Sequence, residues 1–147
     1  MSDGSEPVTP NEILYRRVPP KQVWFDPNEP FPISHYAFCP QKEDLDGISL
    51  SRGKYSSAEQ AAASGRGAEY YIAEISADAI FGAGLTVIPD PKPNDPGHCL
   101  IRELNRPDYD SSSKAKSAIQ AKAAQLSDRC IRVAGPHPGT KSFRTSP

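Results

Sequence analysis

Proline is the feature that most constrains this chain. Sixteen of the 147 residues are proline, against ten glycines. Ordinary usage is about 5% proline. Proline lacks the amide donor that helices and sheet ladders need, and it restricts the residue before it. The regular elements must therefore be short, and the loops between them long and stiff. Pro19 and Pro20 close a first strand in which Ile13, Tyr15 and Arg17 alternate with Leu14, Arg16 and Val18. The run Asp90 to Gly97 holds three more prolines among turn-forming residues and reads as a rigid loop. Between Lys21 and Pro40 four prolines are interleaved with Trp24, Phe25, Phe31, Tyr36 and Phe38. So many large aromatics predict an irregular segment laid over the core, with a strand near Ser34 to Phe38.

The remaining elements follow from hydrophobic periodicity. Ile48, Leu50 and Arg52 alternate with Ser49 and Ser51 as in a half-buried strand. Ser56 and Ser57 precede an alanine-rich helix and stand three residues before Glu59 and Gln60, the offset of a capping box. Tyr70 to Ile75 gives the strongest strand signal. Shorter strands are predicted at 85–89 and from His98 to Leu104. A helix over about 112–128 presents Ala115, Ile119, Ala123, Leu126 and Cys130 on one face. Gly135 to Gly139 reads as a turn. Together these predict one compact α+β domain over 12–135, mostly antiparallel, with short helices and long proline-rich loops. Residues 1–11 are expected to form a flexible tail and 136–147 a polar, basic one.

Charge and cysteine content narrow the classes. Residues 1–100 balance to -6 and residues 101–147 to +5, so the net -1 conceals an asymmetry. Such a split either orients the molecule toward a charged partner or is neutralised within the domain. Without a recognisable module, nucleic-acid contact is expected to be weak and salt-sensitive. Cys39, Cys99 and Cys130 are widely spaced and odd in number, which argues against a disulfide framework and a paired-cysteine metal site. No opening apolar stretch or membrane-length run is present. A cytoplasmic protein with no metal and no membrane partner is expected.

Two functional readings remain. In the first, the aromatic and proline-rich stretch forms a protein-interaction surface through Trp24, Phe25, Phe31 and Tyr36, for a partner of unknown identity and with no cofactor. In the second, a cleft is lined by Arg16, Ser49, Glu74 and His98. Arg16 and Arg17 point to opposite faces of a strand, so one guanidinium can fork onto a phosphate. Glu74 interrupts an apolar strand, and His98 enters a strand directly after the rigid loop.

Leu14-Tyr15-Arg16, the serine-bearing strand Gly47 to Ser51, the Ser57 to Ala63 helix and the Tyr70 to Glu74 strand follow one another in an order that resembles the small ADP-ribosyltransferase-like fold. The resemblance spans about ninety residues. It implies that Arg16 contacts a nicotinamide dinucleotide, NAD, and that Ser49 or Ser51 braces its ribose. The acidic residue that the family carries late in the chain has no clean match here; Glu103 is available, and His98 lies closer to the strand start where that residue is expected. Glu74 and His98 are then the candidate catalytic groups.

Overall fold

The computed structural model describes residues 3–20, 24, 33–63, 65 and 69–139. In chain order β1 (Ile13–Val18) is followed by a 3-10 turn at His35–Phe38, β2 (Ile48–Arg52), α1 (Ala58–Ala63) and β3 (Glu69–Ser76). Then come α2 (Ala77–Gly82), β4 (Ile88–Pro89), β5 (His98–Ile101), α3 (Arg106–Tyr109), α4 (Ser113–Asp128) and β6 (Arg132–Pro138). The strands make one antiparallel sheet in the order β4-β5-β2-β1-β3-β6. This is the expected α+β architecture. Among the described residues, no helix is long and apolar enough to cross a membrane.

The register sorts side chains onto two faces. Leu14 lies opposite Arg52 and Ile75, while Tyr15 lies opposite Ser51 and Glu74. Because neighbours along a strand point in opposite directions, Leu14, Val18, Leu50, Ile75, Cys99 and Ile101 share the first face. These residues join Ile119, Ala123 and Leu126 of α4 in the main core. Ser112 caps α4 by accepting from the Ala115 amide at 3.0 Å. The second face carries Tyr15, Arg17, Ser49, Ser51, Ile72 and His98. There α1 contributes Ala61 and Ala62, which pack with Ile72 in a smaller cluster. The capping box at α1 forms as expected. The Ser57 amide donates to Gln60 Oε1 at 2.8 Å, and the Gln60 amide donates back to Ser57 Oγ at 3.2 Å.

Several expectations are corrected. Residues 34–38 form a 3-10 turn rather than a strand, because the Ser34 hydroxyl accepts from the Tyr36 amide and starts a helical turn. β5 stops at Ile101, and Asn105 then caps α3 by accepting from the Asp108 amide at 2.8 Å. Residues 3–11 are packed on the domain rather than trailing from it: Val8 is core, and Arg52 binds the carbonyls of Gly4 and Glu6. Residues 136–138 belong to β6, not to a tail. β6 is an edge strand, where prolines lose no ladder bond that matters. Gly135, at φ +126°, adopts there a backbone conformation that glycine accepts readily.

One irregularity positions the site. β1 and β2 pair only at Leu14–Arg52 and Tyr15–Ser51. Beyond Tyr15, β1 continues against β3 alone and β2 against β5 alone. The Arg16 guanidinium fills the parting, donating from Nε to the Ala37 carbonyl at 2.8 Å and from Nη1 to the Ser49 carbonyl at 3.0 Å. A side chain thus satisfies a strand carbonyl where the neighbouring strand no longer does.

Candidate functional site

The parting of β1 from β2 opens into a cleft of about 830 Å³ whose lining includes Arg16, Arg17, Trp24, Asp44, Ser49 and Tyr70. Arg16 is 7% exposed. Burial pulls its pKa down to about 10; the charge of Asp44 opposes that shift, and Arg17 adds to it. The guanidinium stays protonated at neutral pH. Burial likewise raises the Asp44 carboxyl above its ordinary range, against the amide of Gln41, which donates to Oδ2 at 2.7 Å, and the charge of Arg16. Arg17 lies on the Ser49 face of the sheet and donates from Nη1 to the Ala61 carbonyl at 3.3 Å. Trp24 is partly buried against the core, with its carbonyl accepting from the Ser34 amide at 2.9 Å.

The expected site residues divide. Arg16 and Ser49 line the cleft, and His98 joins them through Ser49: His98 Nε2 is 3.0 Å from Ser49 Oγ. The pairing of Ser51 with His98 and of Ser49 with Leu100 explains this contact, since it puts His98 diagonally across from Ser49 on one face. Asp90 stands behind the ring, its Oδ2 at 3.0 Å and its carbonyl oxygen at 3.1 Å from His98 Nδ1.

Ser51 is buried and lines a separate hollow of about 300 Å³ with Tyr55 and Ser56, so it does not brace a ligand in the main cleft. Glu74 is also removed from the cleft. Its Oε2 accepts from Arg132 Nε at 2.9 Å, and it borders a third hollow with Glu12, Tyr15 and Lys54. Glu74 shares a face with Arg17 and Ser49, but it lies opposite Tyr15, where β1 and β2 are still paired, and beside Arg132 of β6, so the parting beyond Tyr15 does not reach it. Glu103 accepts from the Thr86 hydroxyl at 2.8 Å and from the Thr86 amide.

Of the aromatic residues expected to form an interaction surface, Trp24 faces the cleft and Tyr36 is exposed. Phe25 and Phe31 lie outside the described residues. Among the described residues, no group of three or more histidines, cysteines and carboxylates is arranged to hold a metal ion.

Asp90, Tyr70 and Glu43 are contributions that sequence reasoning missed. The signal for Asp90 was present in the stiff loop that begins with it and ends at His98. Its amide donates to the His98 carbonyl at 2.9 Å, which closes the loop and brings the two side chains together. No protein-family model, curated protein or solved structure matches this chain.

Proposed function

We propose that the chain binds NAD in the cleft between β1 and β2 and acts on it as an ADP-ribosyltransferase-like enzyme. The observation that carries this reading is the parting of the two strands around Arg16, which leaves guanidinium, hydroxyl, carboxylate and aromatic groups on one concave surface. A dinucleotide asks for those groups. The diphosphate suits the guanidinium of Arg17, because a planar cation forks onto phosphate oxygens, while Arg16, held by the Ala37 and Ser49 carbonyls, adds positive charge to the cleft. The rings suit Trp24 and Tyr70, and a ribose hydroxyl suits Ser49. A volume of about 830 Å³ lies within the usual span of small-molecule sites, roughly 300–1,000 Å³. With Glu103 engaged by Thr86 and Glu74 by Arg132, the acidic role implied by the resemblance is assigned to the cleft carboxylates Glu43 and Asp44. They supply negative charge where a ribosyl cation would develop as nicotinamide departs.

The interaction-surface reading is less favoured. Trp24, its central aromatic, lines a concavity suited to a small ligand, and Tyr36 is the exposed member of the described part of that set.

Trp24 is the sole tryptophan of the chain, so intrinsic emission reports on the cleft directly. Titration with NAD is expected to change that emission saturably. Arg17→Met should weaken binding at least about tenfold, the equivalent of one charge-assisted hydrogen bond near 1.4 kcal/mol. No saturable change in emission or heat at millimolar dinucleotide would sink the proposal.

A further inference from the structure

We infer that Ser49, His98 and Asp90 form a nucleophilic relay opening on the cleft, able to take the acyl group of an anionic carboxylic ester. The inference stands on geometry alone and does not rest on the dinucleotide reading.

Both oxygens beside His98 Nδ1, the Asp90 carboxylate and the Asp90 carbonyl, can only accept. They hold the ring proton on Nδ1, so Nε2 turns its lone pair to Ser49 Oγ at 3.0 Å. That orientation is the one in which a histidine draws the proton from a serine hydroxyl. The loop keeps the pair rigid. Lys92 and Asp95 bridge across it, Pro91, Pro93 and Pro96 stiffen it, and the His98 amide donates to the Asp95 carbonyl at 3.2 Å. Lys92 shares the Asp90 carboxylate at 3.3 Å from the solvent side. The His98 side chain is 13% exposed, which shields the Nε2–Oγ contact from competing water.

Ser49 is half-buried and lines the cleft, so its oxygen is within reach of a ligand there. Arg16 anchors the Ser49 carbonyl and thereby fixes the backbone of the nucleophile. Arg17 is on the Ser49 face and lines the same cleft, with Nη1 on the Ala61 carbonyl at 3.3 Å, so it adds positive charge to the surroundings of a developing oxyanion. The two guanidiniums also explain why the fitting ester carries an anionic group.

In the acylation step Ser49 Oγ bonds to the acyl carbon and its proton passes to His98 Nε2. The ester C–O bond then breaks, and the alcohol leaves with that proton. Water next attacks the acyl-serine, giving its proton to Nε2. The acyl carbon–Oγ bond breaks, Oγ takes the proton back from Nε2, and the carboxylic acid departs. Water is the one co-reactant, and no oxidant or reductant is consumed.

An alkyl fluorophosphonate tests the relay on the full chain, without dinucleotide. The P–O bond forms at Ser49, the P–F bond breaks, and the serine proton goes to His98. Intact mass and peptide mapping should find one adduct, on Ser49. Ser49→Ala should take none, and His98→Gln should label at least about 100-fold more slowly, the lower end of what a general base contributes. Asp90 is a positioning residue. Asp90→Asn should lower kcat on a p-nitrophenyl ester of a dicarboxylic acid while leaving KM unchanged, a split that mere loosening of the loop would not produce. Circular dichroism confirms the fold of each variant, and the mapped wild-type adduct decides the matter should His98→Gln not fold. No adduct on the folded wild type, an adduct that persists in Ser49→Ala, or equal rates for wild type and His98→Gln would overturn the inference. Because the probe needs no dinucleotide, its failure leaves the proposed binding function standing, and the reverse holds.

Discussion

Replacing Arg52 with methionine is expected to destabilise the domain by about 3–5 kcal/mol, the penalty for breaking a buried ion pair from one side. The structure accounts for that size. Arg52 has no exposed surface and forks onto Glu12, with Nε to Oε1 and Nη2 to Oε2 both 2.8 Å. The Glu12 side chain is itself 8% exposed, so the variant would leave a carboxylate that water hardly reaches with only the Thr9 amide at 2.8 Å and Lys54 Nζ at 3.9 Å to balance it. Nη1 also serves the carbonyls of Gly4 at 3.1 Å and Glu6 at 2.9 Å. Those two acceptors hold residues 3–8 on the domain, and each costs about 1–3 kcal/mol if left buried and unpaired. They will be partly rescued by water as the segment lifts, which keeps the total near the ion-pair figure. For a chain of this length the loss corresponds to a fall in Tm of about 10–15 °C. Scanning calorimetry and urea unfolding measure it. The companion variant Glu12→Leu separates the two contributions. Combined with Arg52→Met it should recover the ion-pair share, because an apolar pair tolerates burial, but not the share belonging to the carbonyls. Arg52→Lys keeps the charge and loses the fork, so it should fall between wild type and Arg52→Met. A loss below about 1 kcal/mol for Arg52→Met would refute the reasoning, since it would mean the pair behaves like a surface contact.

Leu126 has no exposed surface, and Leu126→Ala should cost about 2–5 kcal/mol, read as a lower urea midpoint at unchanged m-value. A change under about 1 kcal/mol would show that α4 is not seated on the core. Burial tends to raise the Glu12 carboxyl, but hydrogen bonds from Arg52 and the Thr9 amide, with the nearby cations, hold it below its ordinary 4.5. Its stabilisation is therefore complete above pH 4.5 and lost as pH falls through the folded-state value, and Glu12→Gln should flatten that acid limb of unfolding. Burial pushes the thiol of Cys39 up to about 11 and those of Cys99 and Cys130 up to about 12. Iodoacetamide should alkylate the native cysteines at least about 100-fold more slowly than the unfolded chain, and rapid modification of any one would contradict its placement.

The local elements were legible in the sequence because their signals are local. The i, i+3, i+4 spacing of Ile119, Ala123 and Leu126 marks the buried side of a helix wherever that helix lies. Ser57 and Gln60 announce their cap by a three-residue offset, and the apolar run of β3 needs no neighbour to be recognised. Even the opposite facing of Arg16 and Arg17 follows from strand geometry alone. The site was not legible in that way. Ser49 meets His98 across 49 positions, Arg16 reaches the carbonyl of Ala37 across 21, and Arg52 closes on Glu12 across 40. Each contact satisfies a buried polar group, and a sequence records that such a group exists without recording which strand will bring its partner. Glu74 shows the consequence: its strand and face could be read, but only the pairing of β3 with β6 turned it toward Arg132 and away from the cleft. The residues 3–11 show it again, since nothing periodic in them anticipates an arginine at the end of β2 with donors to spare. Tertiary structure decided the site because register and strand parting arise from contacts between distant segments, whereas periodicity reports only what each segment prefers alone.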